Sequence, residues 1–300
     1  MCVIITVLQS ILIHLIKTLL IHAAKILKYI GDNEDMKYKM IAIDMDGTLL
    51  TKDKKITEET AAALRAAANA GVLVVISTGR PAPGVEMYHE ITDLGNPVII
   101  YNGAGIIKYP EKKIIFDKGL PGEPAAKILA AGKAYNTAMC IWSQGQLYVN
   151  IMDERCDRYE TLSGMKAHPM PSECELLNQG ITKILWYDTP ERISFFIPEM
   201  KKLLGSTSSC CPSAPEFLEF FHPEVSKAAA IEIVAAEYGI KREEIAAIGD
   251  GCNDIEMIEY AGLGIAMQNA PDIVKEHSDF ITKSNSGNGV AYAINKILNI

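Results

Sequence analysis

Ile41-Ala-Ile-Asp44-Met-Asp46-Gly47-Thr-Leu-Leu50 is the stretch whose reading decides this chain. Met40 to Ile43 are apolar and few, as in a short strand buried on both faces. The run then stops in Asp44, Asp46 and Gly47. Residues two apart on a strand point to one side. This predicts that Asp44 and Asp46 leave the strand tip as a pair, with Met45 turned away. Two neighbouring carboxylates repel each other unless a cation or a shared proton lies between them, so this tip asks for a metal. Gly47 allows a sharp turn and a close backbone approach. Taken alone, Asp-x-Asp-Gly reads equally well as an acidic turn closing a strand. Three later stretches decide between the two.

Length and charge set the frame. Three hundred residues make one large domain or two of ordinary size. The net charge of −8 argues against a nucleic-acid footprint, which needs clustered Lys and Arg. It leaves room for a phosphorylated small molecule, because a divalent cation inverts the local field. The cysteines, at positions 2, 140, 156, 174, 210, 211 and 252, make no zinc spacing. Without a disulfide framework they fit a reducing, cytoplasmic setting and buried thiols, the adjacent Cys210 and Cys211 included. No His-Glu-x-x-His occurs, which argues against a zinc hydrolase.

The Ile- and Leu-rich segment Met1–Ile30 stands apart. Its uncharged run ends at Lys17 and is short for a membrane span of about 20 residues. It lacks the basic start and small-residue cleavage site of a secretory signal. Helical spacing puts Lys17, Lys25 and Lys28 on one side and Leu8, Leu12, Leu15, Ile16 and Leu19 on the other, an amphipathic helix. Three readings stand open: a reading frame extended upstream of Met36, a helix docked on a membrane surface or partner, and a true span. Gly31–Asp35 reads as a polar linker.

Beyond the first strand, Thr57 to Gly71 predicts a helix, capped by Thr57, with Glu58 and Glu59 at its positive end and Gly71 closing it. Val72–Ile76 is a second buried strand ending in Ser77-Thr78-Gly79-Arg80. Strand, helix and strand of these lengths form a right-handed βαβ unit. Both polar tips then lie at the C-terminal edge of a parallel sheet, where open α/β folds bind ligands. Thr78 and the backbone of Gly79 suit phosphate oxygens, although Thr78 taken alone reads as a turn or helix cap. A helix is expected over 84–94, then a strand Pro97–Tyr101 ending in Asn102-Gly103, with Asn102 either a turn residue or a site residue.

The alternation loosens between about 118 and 221. A helix at Pro124–Tyr135, strands at Thr137–Trp142, Gln146–Asn150, Thr182–Tyr187, Ser206–Pro212 and Glu216–Phe221, and a helix at Pro190–Leu204 suggest an inserted α+β module acting as a lid. The first domain then resumes. Lys227 opens a helix, Ala228–Tyr238, where a cation opposes the dipole; taken alone it reads as a solvated surface lysine, and the placement makes more sense if its ammonium reaches an anion or the carboxylates. Ile245–Ile248 is a buried strand ending in Gly249-Asp250-Gly-Cys-Asn253-Asp254, the most crowded acidic tip. Asp44, Asp46, Asp250 and Asp254 together offer oxygen donors for a hard cation such as Mg²⁺. Ala261–Ala266 is a last core strand, and Gly289–Leu298 a closing helix.

The ordered tips at Asp44-Met-Asp46-Gly-Thr, Ser77-Thr78-Gly79-Arg80, Lys227 and Gly249-Asp250-Gly-Cys-Asn253-Asp254 resemble the haloacid dehalogenase superfamily of phosphotransferases. The insertion and the tail Gly264-Ile-Ala-Met-Gln-Asn-Ala270, with Asp279 and Asn285–Val290, are similar to its Cof-type (IIB) branch. Ala228 and Glu224 stand where that family commonly has glycine. The resemblance implies a Rossmann-like α/β core, residues 36–117 and 222–300, around a C2-type α+β cap at 118–221, with 1–35 outside it. It implies Asp44 as nucleophile forming an aspartyl-phosphate, and Asp46 as general acid and base. Mg²⁺ would be held by Asp44, the carbonyl of Asp46, and Asp250, with Asp254 in support. Thr78 and Lys227 would hold phosphoryl oxygens, Asn253 would fix Lys227 or a phosphate oxygen, and Arg80 and Asn102 would contact substrate. Asp46 favours a phosphatase acting on a small phosphorylated metabolite, a sugar phosphate or phosphorylated cofactor. A phosphomutase, or a docked sensor that keeps the fold without catalysis, are the alternatives.

Overall fold

The structure, a computed structural model, describes residues 37–299. The helix expected over Met1–Ile30 and its linker lie outside the described residues. Fourteen strands follow in chain order among the described residues. They are β1 (Met40–Asp44), β2 (Leu73–Ser77), β3 (Pro97–Ile100), β4 (Gly105–Lys108), β5 (Lys113–Asp117), β6 (Ala138–Ser143) and β7 (Gln146–Val149). After them come β8 (Ala167–Pro169), β9 (Lys183–Tyr187), β10 (Ser209–Ala214), β11 (Phe217–Phe221), β12 (Ile245–Gly249), β13 (Leu263–Ala266) and β14 (Phe280–Ile281). They form two sheets. The first runs β14-β13-β12-β1-β2-β3-β4-β5, the second β10-β11-β9-β6-β7-β8.

In the first sheet all pairs from β14 to β3 are parallel. Every residue of β1, β2 and β12 is buried, with no alternation, because both faces are covered. Ile41, Ile43, Val74 and Ile76 pack with Leu64 and Ile294 on one side. Met40, Ala42, Leu73 and Val75 pack with Ile231, Val234 and Met257 on the other. Each buried Val, Leu, Ile or Met side chain among them contributes about 1.5–3 kcal/mol, so the register is firmly set. That register, with Ile43 opposite Ile248 on one side and Asp44 opposite Ser77 on the other, brings the strand tips to one edge.

Several local expectations change. The helix expected over 84–94 is two short ones, Pro83–Glu86 and His89–Thr92. Tyr88 breaks them with extended backbone (φ −110°, ψ 93°), and its hydroxyl donates to the Lys54 carbonyl at 3.1 Å. β4 and β5, which the sequence reading passed over, extend the core sheet as an antiparallel hairpin. The second sheet carries two further helices, Glu154–Ser163 and Glu173–Gln179, and β8. The expectation of buried thiols holds for Cys140 and Cys156 but not for Cys174, Cys211 and Cys252, which are exposed, nor for the half-buried Cys210. Among the described residues no helix is long and apolar enough to cross a membrane.

Candidate active site

The site is built where β1, β2 and β12 end. Asp44, the last residue of β1, is 5 % exposed. Ser226 caps the helix Lys227–Tyr238 by accepting from the Ala229 amide at 3.2 Å. This fixes Lys227 at the helix start with its side chain aimed back at the sheet. The Lys227 ammonium, fully buried, donates to Asp44 Oδ1 and to Asp254 Oδ1, each at 2.6 Å. Asp254 Oδ2 accepts from the amides of Asp250 (2.9 Å) and Gly251 (2.8 Å), which curls the loop after β12 around it. Asp250 is held from two sides, by the Thr48 hydroxyl at 2.8 Å and the Asn269 amide at 3.3 Å. Gly47 has φ +88°, and a Cβ there would come within 2.2 Å of Asp250 Oδ2. Glycine is therefore what lets the tips of β1 and β12 meet.

Asp44, Asp250 and Asp254 each present an oxygen within 4.8 Å of the others. Burial first, then the charge of Asp254, push the Asp44 carboxyl well above its ordinary range, against the pull of Lys227. Burial likewise raises Asp250, to about 6, with the Thr48 bond opposing. Burial alone would lower Lys227, but the charges of Asp254 and Asp44 outweigh it and raise it. One cation thus faces three acids. An all-oxygen set with surplus negative charge at this spacing fits a hard divalent ion.

A family of haloacid dehalogenase-like hydrolases matches residues 41–294, from the first strand to the closing helix. The chain belongs to this family. YxeH of Bacillus subtilis (strain 168) is 35 % identical over 271 residues, covering 87 % of this chain and 98 % of that protein. The 5-amino-6-(5-phospho-D-ribitylamino)uracil phosphatase YwtE of the same organism is 33 % identical over 289 residues, covering 87 % and 98 %. The crystal structure of a haloacid dehalogenase-like hydrolase from Bacteroides thetaiotaomicron superposes with a TM-score of 0.79 at 28 % identity, covering 87 % of this chain and all of that one. As a haloacid dehalogenase-like hydrolase the chain is an enzyme, with a parallel-sheet core and an α+β cap.

The remaining expected residues divide. Thr78 is 1 % exposed and lines the cavity, its hydroxyl accepting from the Arg80 amide at 3.1 Å. Gly79 lies against Asn102, where a Cβ would sit 3.0 Å from Asn102 Oδ1. Asn102 follows the end of β3 at the cavity. It takes left-handed backbone (φ 55°, ψ 28°) and its side chain lines the cavity. Asn253 donates to Asn102 Oδ1 at 3.1 Å; the group seen fixing Lys227 is Asp254, not Asn253.

Asp46 corrects the four-acid picture. Its carboxylate is drawn away from the other three by Arg80, which reaches both oxygens at 2.6 and 2.7 Å, and by Lys54 at 2.6 Å. β1 ends at Asp44, so the two-residue parity that paired Asp44 with Asp46 does not extend to Asp46. Burial would raise its carboxyl, but the bonds and charges of Arg80 and Lys54 bring it below the usual carboxylate range. Arg80, expected at the substrate, lines the cavity and holds the acid there.

Sequence reading assigned no role to Thr48, Lys54, Tyr88, Asn269, Lys183 or Glu219. Thr48 and Asn269 stood inside quoted motifs, and the signal was their place beside the acids. Lys183 and Glu219 line the cavity from the cap and had no local signal. The cavity, about 970 Å³, lies between the strand tips and the cap.

Proposed function

We propose that this chain is a Mg²⁺-dependent phosphatase that hydrolyses a small phosphorylated metabolite through an aspartyl-phosphate on Asp44. The observation that carries the reading is Asp44 itself, buried at a strand tip and sharing one ammonium with Asp254, within 4.8 Å of a second carboxylate, Asp250. That the relative YwtE is named a phosphatase of a phosphorylated ribityl compound supports the reaction class.

Asp44 and Asp250 would hold the ion, with the Asp46 carbonyl and Asp254 in support. When bound, Mg²⁺ supplies the positive charge that lets an anionic carboxylate approach an anionic phosphate. Lys227 and the Thr78 hydroxyl take phosphoryl oxygens. An Asp44 oxygen forms the new bond to phosphorus as the bond to the leaving alcohol breaks. Asp46 gives that alcohol its proton, then takes one from the water that attacks phosphorus and frees Asp44. The cations that Arg80 and Lys54 lend Asp46 are those an incoming phosphoryl group competes for. Sharing them raises the proton affinity of Asp46, so that it takes up a proton from solvent as the substrate binds and holds it for the leaving oxygen.

The test is hydrolysis of p-nitrophenyl phosphate by wild type and Asp44→Asn, each with Mg²⁺ and with chelator. Turnover that needs Mg²⁺ and falls by about a thousandfold or more in Asp44→Asn is expected. Chelator-resistant turnover, or an active Asp44→Asn, would remove the reading.

A further inference from the structure

Two thiols that the mechanism does not use stand on opposite sides of one edge of the cavity. Cys210 and Cys211 are neighbours on β10, so they point to opposite faces of the cap sheet. Cys210 packs into the cap's own core. Cys211 therefore faces the enzyme core. It pairs in register with Glu219 of β11, which lines the cavity, and Ser213 and Ala214 at the end of the same strand line it too. Across the cleft is the loop that carries two of the acids. Cys252 lies between Asp250 and Asp254, and the residues on either side of it, Gly251 and Asn253, line the cavity.

Hydrogen bonds already tie the two walls at this edge. The Asn102 amide donates to Glu219 at 3.3 Å, and the Asn253 amide donates to Asn102 Oδ1 at 3.1 Å. Glu219 is the cross-strand partner of Cys211, and Asn253 follows Cys252 in the chain, so this short path runs between the two thiols. The Cys211 thiol is pushed up by burial first and then by Glu219, with Cys252 and Glu256 adding to it against Lys201, so the core's thiol is felt by the cap's. Cysteine is among the residues most often buried, yet both of these are exposed. An exposed thiol on each of two facing domains, beside the same bonded contact, has the placement of a crosslink.

We propose that Cys211 and Cys252 form a reversible disulfide that staples the cap onto the core and shuts the cavity. The oxidant is a small-molecule disulfide such as oxidised glutathione. One protein thiol, as its thiolate, attacks a glutathione sulfur; the S–S bond breaks, and the first glutathione leaves and takes up the proton. The second protein thiol gives up its proton and attacks the protein sulfur of the mixed disulfide, and the second glutathione leaves. Two protein thiols have then lost two electrons and two protons, and one glutathione disulfide has become two thiols. A thiol reductant runs the exchange backward. Disulfides of this transient kind are the ones found in reducing compartments. The staple leaves the acids and Lys227 chemically unchanged. What it removes is passage between cap and core, which an ester needs on its way in and a product on its way out.

The test uses the full chain in Mg²⁺, fully reduced and then equilibrated with oxidised glutathione, with p-nitrophenyl phosphate as the probe. Peptide mass spectrometry without reductant should find Cys211 joined to Cys252. Turnover should fall by about tenfold or more, and dithiothreitol should restore it. Cys211→Ser and Cys252→Ser should match reduced wild type in activity and lose both the crosslink and the inhibition. Hydrogen exchange in the two connectors between core and cap, 118–121 and 222–226, should slow on oxidation in wild type alone. No crosslink between these two residues at full oxidation overturns the staple. So does a crosslink that leaves turnover and exchange as they were, and so does equal inhibition of Cys252→Ser, which puts the effect on another thiol. A protein inactive on every ester would remove the phosphatase reading alone, because the crosslink and the exchange are read without turnover and still decide the staple.

Discussion

Lys227→Met removes the ammonium buried between Asp44 and Asp254 while keeping a side chain of similar length. Lys227 is 1 % exposed and reaches both carboxylates at 2.6 Å, so its loss leaves two buried acids facing each other with little access to water. Breaking a buried pair by removing one partner costs about 3–5 kcal/mol, a large part of the roughly 5–15 kcal/mol by which a protein is stable. For a domain of this size that is a drop in Tm of roughly 6–20 °C. The loss depends on metal and on pH. A divalent ion among Asp44, Asp250 and Asp254 replaces the missing charge, so the deficit measured in chelator should narrow in saturating Mg²⁺. Acid also narrows it. Without Lys227 the folded-state pKa of Asp44 lies still further above its unfolded value, and protonation relieves the repulsion. The folded protein then gains stability as pH falls and loses it as pH rises through that folded pKa. The assay is thermal unfolding of wild type and variant in chelator and in Mg²⁺ at several pH values. A variant in chelator that melts within about 2 °C of wild type would refute the account of the buried cluster. So would a deficit that Mg²⁺ leaves unchanged.

Two further outcomes follow from the same geometry. Gly47→Ala puts a Cβ within 2.2 Å of Asp250 Oδ2 on backbone with φ +88°, so it should lower Tm and weaken Mg²⁺ binding, as read by melting and calorimetry; unchanged Mg²⁺ affinity would contradict the close approach of the two tips. Burial raises the Asp250 carboxyl to about 6 and lifts Asp44 as well, so protons compete with metal at both; Mg²⁺ affinity should fall as pH drops through about 6, which calorimetry across that range checks, and an affinity that does not change with pH would contradict it.

The core was legible because its signals are local. A buried parallel strand announces itself as a short apolar run, and its tip as an abrupt change to Asp, Thr or Gly. The edge where those tips gather then follows from the parallel order. Lys227 was legible for a different reason: a lysine at the N-terminal end of a helix opposes the dipole unless an anion answers it, and Asp44 and Asp254 do. Where the local rule stopped, so did the reading. The parity argument failed at Asp46 because the strand had already ended, and Arg80, 34 positions away, decides where that carboxylate goes. The helix Glu154–Ser163 was missed because it buries only Cys156, Tyr159 and Ser163, too thin a stripe to stand out. The β4–β5 hairpin was missed because β5 is largely exposed. Lys183 and Glu219 are brought together over 36 positions by strand pairing alone. In the sequence each is a single charge among apolar residues.

The central claim is that Asp44 takes up the phosphoryl group. The direct measurement is acid quenching during steady-state hydrolysis in Mg²⁺, followed by proteolysis and mass spectrometry of the peptide that contains Asp44. The account predicts a mass increase of one phosphoryl group on Asp44, absent from Asp44→Asn. Steady turnover with no adduct, or with the adduct on another side chain, would contradict it.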